Sequence, residues 1–245
     1  MKNKIIVITG GATGIGLGLA KALAPDNTVI SIDRNASKIA ALKAALPKVE
    51  SIQGDVTSND DMSRAMSTIE KNHGKIDILI NNAGKGTTFD FPKNSEQELL
   101  SNISMEMDIN YIAPIMISKK AMALLNKSSE PAIIMVSSGL AYIPIAMLGT
   151  YCASKAAIHF ATMSIRHQLA GTKIRVVEVL PPVVDTDLSK GVTMPKMSTE
   201  KFAQILISKY NKGENVMDIG QSAGLKTFTR LMPNTAFKTL NKPQK

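Results

Sequence analysis

The sequence has a single cysteine, Cys152, among its 245 residues. That excludes an internal disulfide framework and fits a reducing compartment such as the cytoplasm. Aromatic residues make up only 4% of the chain. With no zinc-finger spacing and no aromatic pattern of the RNA-recognition type, a nucleic-acid module is not expected. The three histidines, His73, His159 and His167, have no ligand-like partners nearby in sequence, so no metal site is expected. Long apolar runs are also missing. The run at Lys4–Thr9 is too short for a membrane span or a signal-peptide core, and stable membrane insertion is not expected. No linker, internal repeat or low-complexity tract divides the chain.

What is present is the composition of a soluble globular protein, 44% hydrophobic and 20% charged. The length suits one α/β domain over residues 1–245 with a full core. The net charge of +9 comes from scattered lysines rather than a dense block. It reads as a solvated basic surface with a mild attraction for an anionic cofactor.

Short apolar runs alternate with helical patterns along the chain. Strands are expected at Lys4–Thr9, Thr28–Ile32, Val49–Gln53, Ile76–Ile80, Ala132–Val136 and Lys173–Leu180, with a seventh at Asn215–Ile219. Helices are expected at Ile15–Leu23, Ser37–Leu46, Asp60–His73, Ser95–Asn126 with a break near Pro114, Thr150–Leu169 and Thr199–Tyr210. The alternation specifies a doubly wound parallel sheet flanked by helices, whose ligands bind at the carboxyl ends of the strands.

Several stretches fall at those ends. TGGATGIG, Thr9–Gly16, joins the first strand to the first helix. Gly10, Gly14 and Gly16 permit a tight turn and let a pyrophosphate approach backbone N–H groups, with Thr13 and Ile15 in the same turn. Asp33 closes the second strand, where a carboxylate accepts from adenosine ribose hydroxyls and repels a 2′-phosphate. That favours NAD. Arg34, next in sequence, can pair with a 2′-phosphate, which keeps NADP as the alternative. Asp55-Val56 follows the third strand, and Asn81-Asn82-Ala83-Gly84 the fourth.

Further on, Tyr151 and Lys155 stand four apart on a helix and so share one face. An ammonium beside a phenol lowers its pKa from about 10 and makes a general acid/base. Cys152 beside them reads as a small packing residue. Ser137-Ser138 ends the fifth strand, and alternation turns the two side chains opposite ways.

Taken together, TGGATGIG, Asp33, Asp55-Val56, NNAG from Asn81, Asn110, Ser138, Tyr151 and Lys155 resemble, in order and spacing, the short-chain dehydrogenase/reductase family. The resemblance covers about Lys4 to Thr186. The run from Ser137 to Leu169 is also similar to a bacterial oxidoreductase branch named after the operon for D-alanylation of lipoteichoic acid. The resemblance implies a Rossmann-type single domain and an NAD(P)-dependent oxidoreductase acting on a carbonyl or secondary alcohol. It implies Asn110, Ser138, Tyr151 and Lys155 as the catalytic set, with Ser138 at the family's spacing before Tyr151.

On the same resemblance, Lys155 also binds the nicotinamide ribose, and Asn110 holds a water that links Lys155 to solvent. Asp55, Val56, Asn82, Ala83 and Gly84 are implied in cofactor binding. So is Pro181-Pro182-Val183-Val184-Asp185-Thr186, similar to the family's segment beside the nicotinamide, with Pro181, Val184 and Thr186 as contacts. Pro182 replaces the usual glycine there. A homodimer or homotetramer is implied through the helices that carry Asn110 and Tyr151. Residues 187–197 read as a substrate loop. The basic amphipathic extension over about 220–245 reads as a cover for the pocket, an oligomer contact or a membrane-surface contact. A sugar-nucleotide epimerase or dehydratase would need a longer substrate domain. A cofactor-binding scaffold would not need Ser138, Tyr151 and Lys155 together.

Overall fold

The computed structural model describes residues 1–242; the last three residues of the C-terminal extension, 243–245, lie outside the described residues. Seven strands form one sheet: β1 (Ile5–Thr9), β2 (Thr28–Asp33), β3 (Glu50–Gln53), β4 (Ile78–Asn81), β5 (Ala132–Val136), β6 (Arg175–Leu180) and β7 (Val216–Asp218). Every pairing is parallel, in the order β3-β2-β1-β4-β5-β6-β7. The order reverses between β1 and β4, and that crevice is where such a sheet takes its ligand. The central strands are buried on both faces. β4 and β5 have no exposed residue, which is why they read as unbroken apolar runs rather than alternating ones.

Helices cover both faces. On one side α1 (Gly14–Leu23), α2 (Ala36–Ala45) and α7 (Thr199–Asn211) bring Leu19, Leu23, Leu42, Phe202 and Leu206 into a common core with Ile6, Ile8 and Val179. On the other, α3 (Asn59–His73), α5 (Ala113–Leu125) and α6 (Gly149–Gln168) pack Met62, Ile69, Ile117, Leu124 and Ile158 against Val7, Leu79 and Ile133. Local chemistry sets the ends. The Ser58 side chain caps α3, and Gly74 ends it in the left-handed region at φ 73°. Ser95 and Glu98 form a reciprocal capping box at the start of α4 (Glu96–Met107).

The expected helix over Ser95–Asn126 is helical throughout but not uniform. Between α4 and α5 lies a π-helical turn, Asp108–Ile112, with Asn110 at its centre. Pro114 does not break the helix. It follows closely on the π-helical turn, where its missing N–H leaves the Asn110 carbonyl without an α-helical donor, so the α pattern is interrupted near Pro114 without the helix ending. The C-terminal extension folds as α8 (Ser222–Leu231) and α9 (Pro233–Leu240), with Pro233 in the first turn of α9.

Candidate active site

At the carboxyl end of β1 the chain turns sharply into α1. Gly10 has φ +67°, and a side chain there would come 3.1 Å from Ala83 Cα. Gly14 has φ +52°, and a Cβ on Gly16 would lie 2.0 Å from the Gly10 carbonyl oxygen. Positive φ at Gly10 and Gly14 and the close carbonyl beneath Gly16 call for glycine and let the chain turn this tightly. The turn is braced from behind. Asn82 Nδ2 donates to the Thr9 and Gly10 carbonyls at 3.0 and 3.1 Å, and Thr9 Oγ1 accepts from the amides of Asn82 and Ala83.

A cleft of about 490 Å³ runs across this crevice. Gly10, Thr13, Gly14 and Ile15 line its middle, and Asp33, Arg34, Lys38, Asp55 and Val56 one end. Asn82, Ala83 and Gly84 face them, and Thr186 lies beyond. Asp33 Oδ2 accepts from the Ala12 amide at 3.0 Å and from the Ser31 hydroxyl, so the carboxylate also clamps the glycine turn. Burial lifts the Asp33 carboxyl above its ordinary range, against the pull of those donors. Arg34 lies 3.4 Å from Asp55. Burial works to raise the Asp55 carboxyl, but the Thr57 amide and hydroxyl and the Arg34 guanidinium outweigh it and hold it low. The cleft therefore ends in Asp33 flanked by the cations Arg34 and Lys38.

A second cavity, about 330 Å³, meets the cleft at residues common to both walls: Ile15, Asn82, Gly86, Thr186 and Leu188. Ser138, Tyr151 and Lys155 line it, as do Pro181 and Val184. Tyr151 and Lys155 are 9% and 4% exposed. Ser138 interacts with the Tyr151 phenol, and its Oγ accepts from the Leu140 amide at 3.1 Å. Ser137 turns the other way and donates to Glu178 at 2.6 Å.

The electrostatics differ from the expectation of a phenol acidified by its lysine. Burial raises Tyr151 to about 12, with Ser138 pulling it back and Cys152 and Glu106 pushing further up. Burial also lowers Lys155 to about 8. The Lys155 ammonium donates to the Val136 carbonyl at 3.0 Å and lies 5.7 Å from the centre of the Tyr151 ring. Helical spacing brings the pair together, but desolvation governs both groups.

Gly16 and Asn110 line neither cavity. Gly16 packs beneath the turn. Asn110 is 2% exposed and bonds both ways to Lys85, Oδ1 accepting from its amide at 2.9 Å and Nδ2 donating to its carbonyl at 2.7 Å. Nδ2 also donates to Ser154 Oγ at 2.9 Å. A side chain on Gly84 would lie 3.4 Å from Asn110 Oδ1 and 3.6 Å from Lys155 Nζ, so the asparagine stands close behind the lysine.

Two supports are not singled out by the sequence. Glu178, fully buried in β6, bridges Ser137 and His159, whose Nδ1 lies 2.9 Å from both carboxylate oxygens. It fixes the residue beside Ser138 and gives His159, which has no ligand-like partner nearby in sequence, a partner across the fold. A glutamate inside the apolar run VVEVL was the available signal. Glu106, also fully buried, accepts at Oε1 from the Thr87 amide and hydroxyl at 2.5 and 2.8 Å, while Oε2 has no partner among the described residues. It stands one helical turn before Asn110, and the two fasten the 85–87 segment to the wall of the second cavity.

A parallel sheet with a glycine turn at its crossover, opening onto a cavity with buried serine, tyrosine and lysine, defines a dinucleotide-dependent oxidoreductase. Residues 4–196 match the short chain dehydrogenase family, and the chain belongs to it. Among curated relatives, the uncharacterized oxidoreductase DltE of Bacillus subtilis (strain 168) is 34% identical, with 98% of each chain covered. Dehydrogenase/reductase SDR family member 4 of Oryctolagus cuniculus is 29% identical over 89% of this chain and 85% of its own. Among solved structures, a short chain dehydrogenase from Burkholderia cenocepacia in complex with NADP superposes with a TM-score of 0.86 at 26% identity, covering 99% of both chains. The cofactor is a nicotinamide dinucleotide, and the substrate a small molecule. Among the described residues no helix is long and apolar enough to cross a membrane.

Proposed function

We propose that the protein reduces a carbonyl compound to a secondary alcohol, with Tyr151 as the proton donor. The observation that carries this reading is the placement of the Tyr151 and Ser138 hydroxyls together on the wall of a cavity that opens into the dinucleotide cleft. The glycine turn, whose Gly10, Thr13, Gly14 and Ile15 line the middle of the cleft, accommodates a pyrophosphate. The ribose and nicotinamide end falls to Thr186, Pro181, Val184 and Lys155. Bound there, the nicotinamide dinucleotide supplies or accepts a hydride. The chain's own part is to orient the carbonyl and handle its charge. Ser138 and Tyr151 donate to the oxygen as negative charge develops, and Tyr151 gives up its proton. Asn110 fastens the loop beside Lys155 and stands on the route by which protons return.

The ionisation of the site favours one direction. A phenol raised to about 12 stays protonated at neutral pH and acts first as a donor. Lys155, lowered to about 8, is cationic below that value and neutral above it. Carbonyl reduction is therefore expected to hold level below about pH 8 and to fall above it as the ammonium is lost. Rates of kcat/KM against pH with a saturating cofactor test this; reduction that climbs through that range contradicts it.

For the cofactor we infer a preference for NAD(H), supported by Asp33 at the end of β2. For assembly we infer a homodimer or homotetramer closed through α4, α5 and α6. Leu100, Ile103, Ile112, Met116, Phe160 and Met163 are large apolar side chains left exposed on those helices and the turn that joins the first two. Light scattering is expected to give a multiple of 26.3 kDa, and the monomer mass alone would rule this assembly out.

A further inference from the structure

Beyond its junction with the cleft, the second cavity is walled by three separate stretches of chain that converge on one chemistry. Leu140, Ile145 and Leu148 come from the segment between β5 and α6. Val192 and Met194 come from the loop after β6, and Leu225 and Leu240 from α8 and α9. Among the described residues that line it, only Tyr151 and Lys155 are ionisable. The protein carries a net charge of +9, yet among the described residues no other cation lines this wall.

The hydroxyls on the wall are largely committed elsewhere. Ser137 donates to Glu178, Thr87 to Glu106, Ser189 to the Thr186 carbonyl and Ser222 to the Pro181 carbonyl. Gln221 is exposed. The polar groups offered to a ligand thus concentrate at Ser138 and Tyr151. The C-terminal hairpin that carries Leu225 and Leu240 is fastened at both ends. Ser222 ties its start to Pro181 at 2.8 Å. Asn241 ties its end to the 144–146 segment, accepting from the Ala146 amide at 2.6 Å and donating to the Pro144 carbonyl at 3.2 Å.

We propose that the substrate is a neutral carbonyl compound with a hydrocarbon body, and the product the matching secondary alcohol. The body lies against Leu148, Val192, Met194, Leu225 and Leu240, and the carbonyl meets Ser138 and Tyr151. This rests on the oxidoreductase reading above. The carbonyl carbon receives a hydride from the reduced nicotinamide dinucleotide, which is oxidised, and the carbonyl oxygen takes the Tyr151 proton. A carboxylate, phosphate or polyol in place of the hydrocarbon body would lose its water against a wall that, among the described residues, is mostly apolar.

The test pairs two measurements on ligands matched in carbon number: 2-alkanones from butanone to decanone, the corresponding ω-carboxylate oxo acids, and sugars. The first is calorimetric binding to the Tyr151→Phe protein loaded with reduced cofactor; the second is turnover by the wild type. Alkanone affinity should rise about fourfold per added methylene until the cavity is full, with oxo acids and sugars at least about tenfold weaker. Leu225→Lys, at a half-buried position on α8, should erase the chain-length dependence.

Oxo acids or sugars binding as tightly as the matched alkanones would overturn the proposal, as would an unchanged chain-length dependence in Leu225→Lys. The two readings fail separately. Selective alkanone binding without any wild-type turnover removes the reductase reading and leaves the substrate class standing. Turnover confined to the polar ligands does the reverse.

Discussion

Replacing Tyr151 with phenylalanine is expected to lower kcat for carbonyl reduction roughly 10²- to 10⁴-fold, the usual contribution of a positioned proton donor. The affinity for the nicotinamide cofactor should barely change. The substitution removes one oxygen and keeps the ring, so packing around this 9%-exposed side chain is preserved. Tyr151 lines the second cavity, whereas the glycine turn and Asp33, proposed to hold the pyrophosphate and the adenosine, line the main cleft. A binding defect of the same size as the rate defect would mean that the residue positions cofactor rather than donates. Unimpaired turnover would mean that another group supplies the proton. Ser138→Ala should cost less, because Ser138 supports the developing charge without transferring its own proton.

The second large effect is expected at Asp33. In Asp33→Ala, NADH affinity should fall roughly 10- to 100-fold, the range for losing hydrogen bonds to a charged group. NADPH should gain, because Arg34 and Lys38 would then face the 2′-phosphate with no carboxylate opposing them. Asp33 has a structural duty as well, accepting from the Ala12 amide and the Ser31 hydroxyl. Asp33→Asn separates the two roles. It keeps an acceptor for the Ala12 amide and removes the charge, so its preference should shift while the glycine turn stays in place. Fluorescence titration of wild type and both variants with each reduced cofactor reads this directly. A wild type that strongly prefers NADPH would defeat the assignment of Asp33.

The strands were legible because a parallel sheet covered on both faces demands continuous apolar runs, and each run ends at a ligand-facing turn. Helix limits follow caps such as Ser58, Ser95 and Gly74 to within a residue or two. The π-helical turn around Asn110 was not legible. Pro114 marks that the α pattern is disturbed nearby, but not that the disturbance takes the form of a π turn centred on Asn110, which then bonds to the loop at Lys85. The link from Glu178 to His159 joins β6 to α6, and that from Glu106 to Thr87 joins α4 to the loop after β4. Neither follows a periodicity, so only the fold reveals them.

The same holds for the Tyr151 and Lys155 ionisation. Spacing gives proximity, but burial and the pull of the Val136 carbonyl decide where the ammonium points and how strongly it is held. The C-terminal extension was open among three roles, and Leu225 and Leu240 place it over the second cavity. On the proposed reading, substrate choice rests there, on side chains from three stretches that share no motif.

The most direct test of the account is the absorbance of reduced nicotinamide followed while wild-type protein is mixed with the 2-alkanone series. The account predicts saturable oxidation of the cofactor, faster with each added methylene and lost in Tyr151→Phe. Cofactor that binds but stays reduced against every carbonyl offered would contradict it.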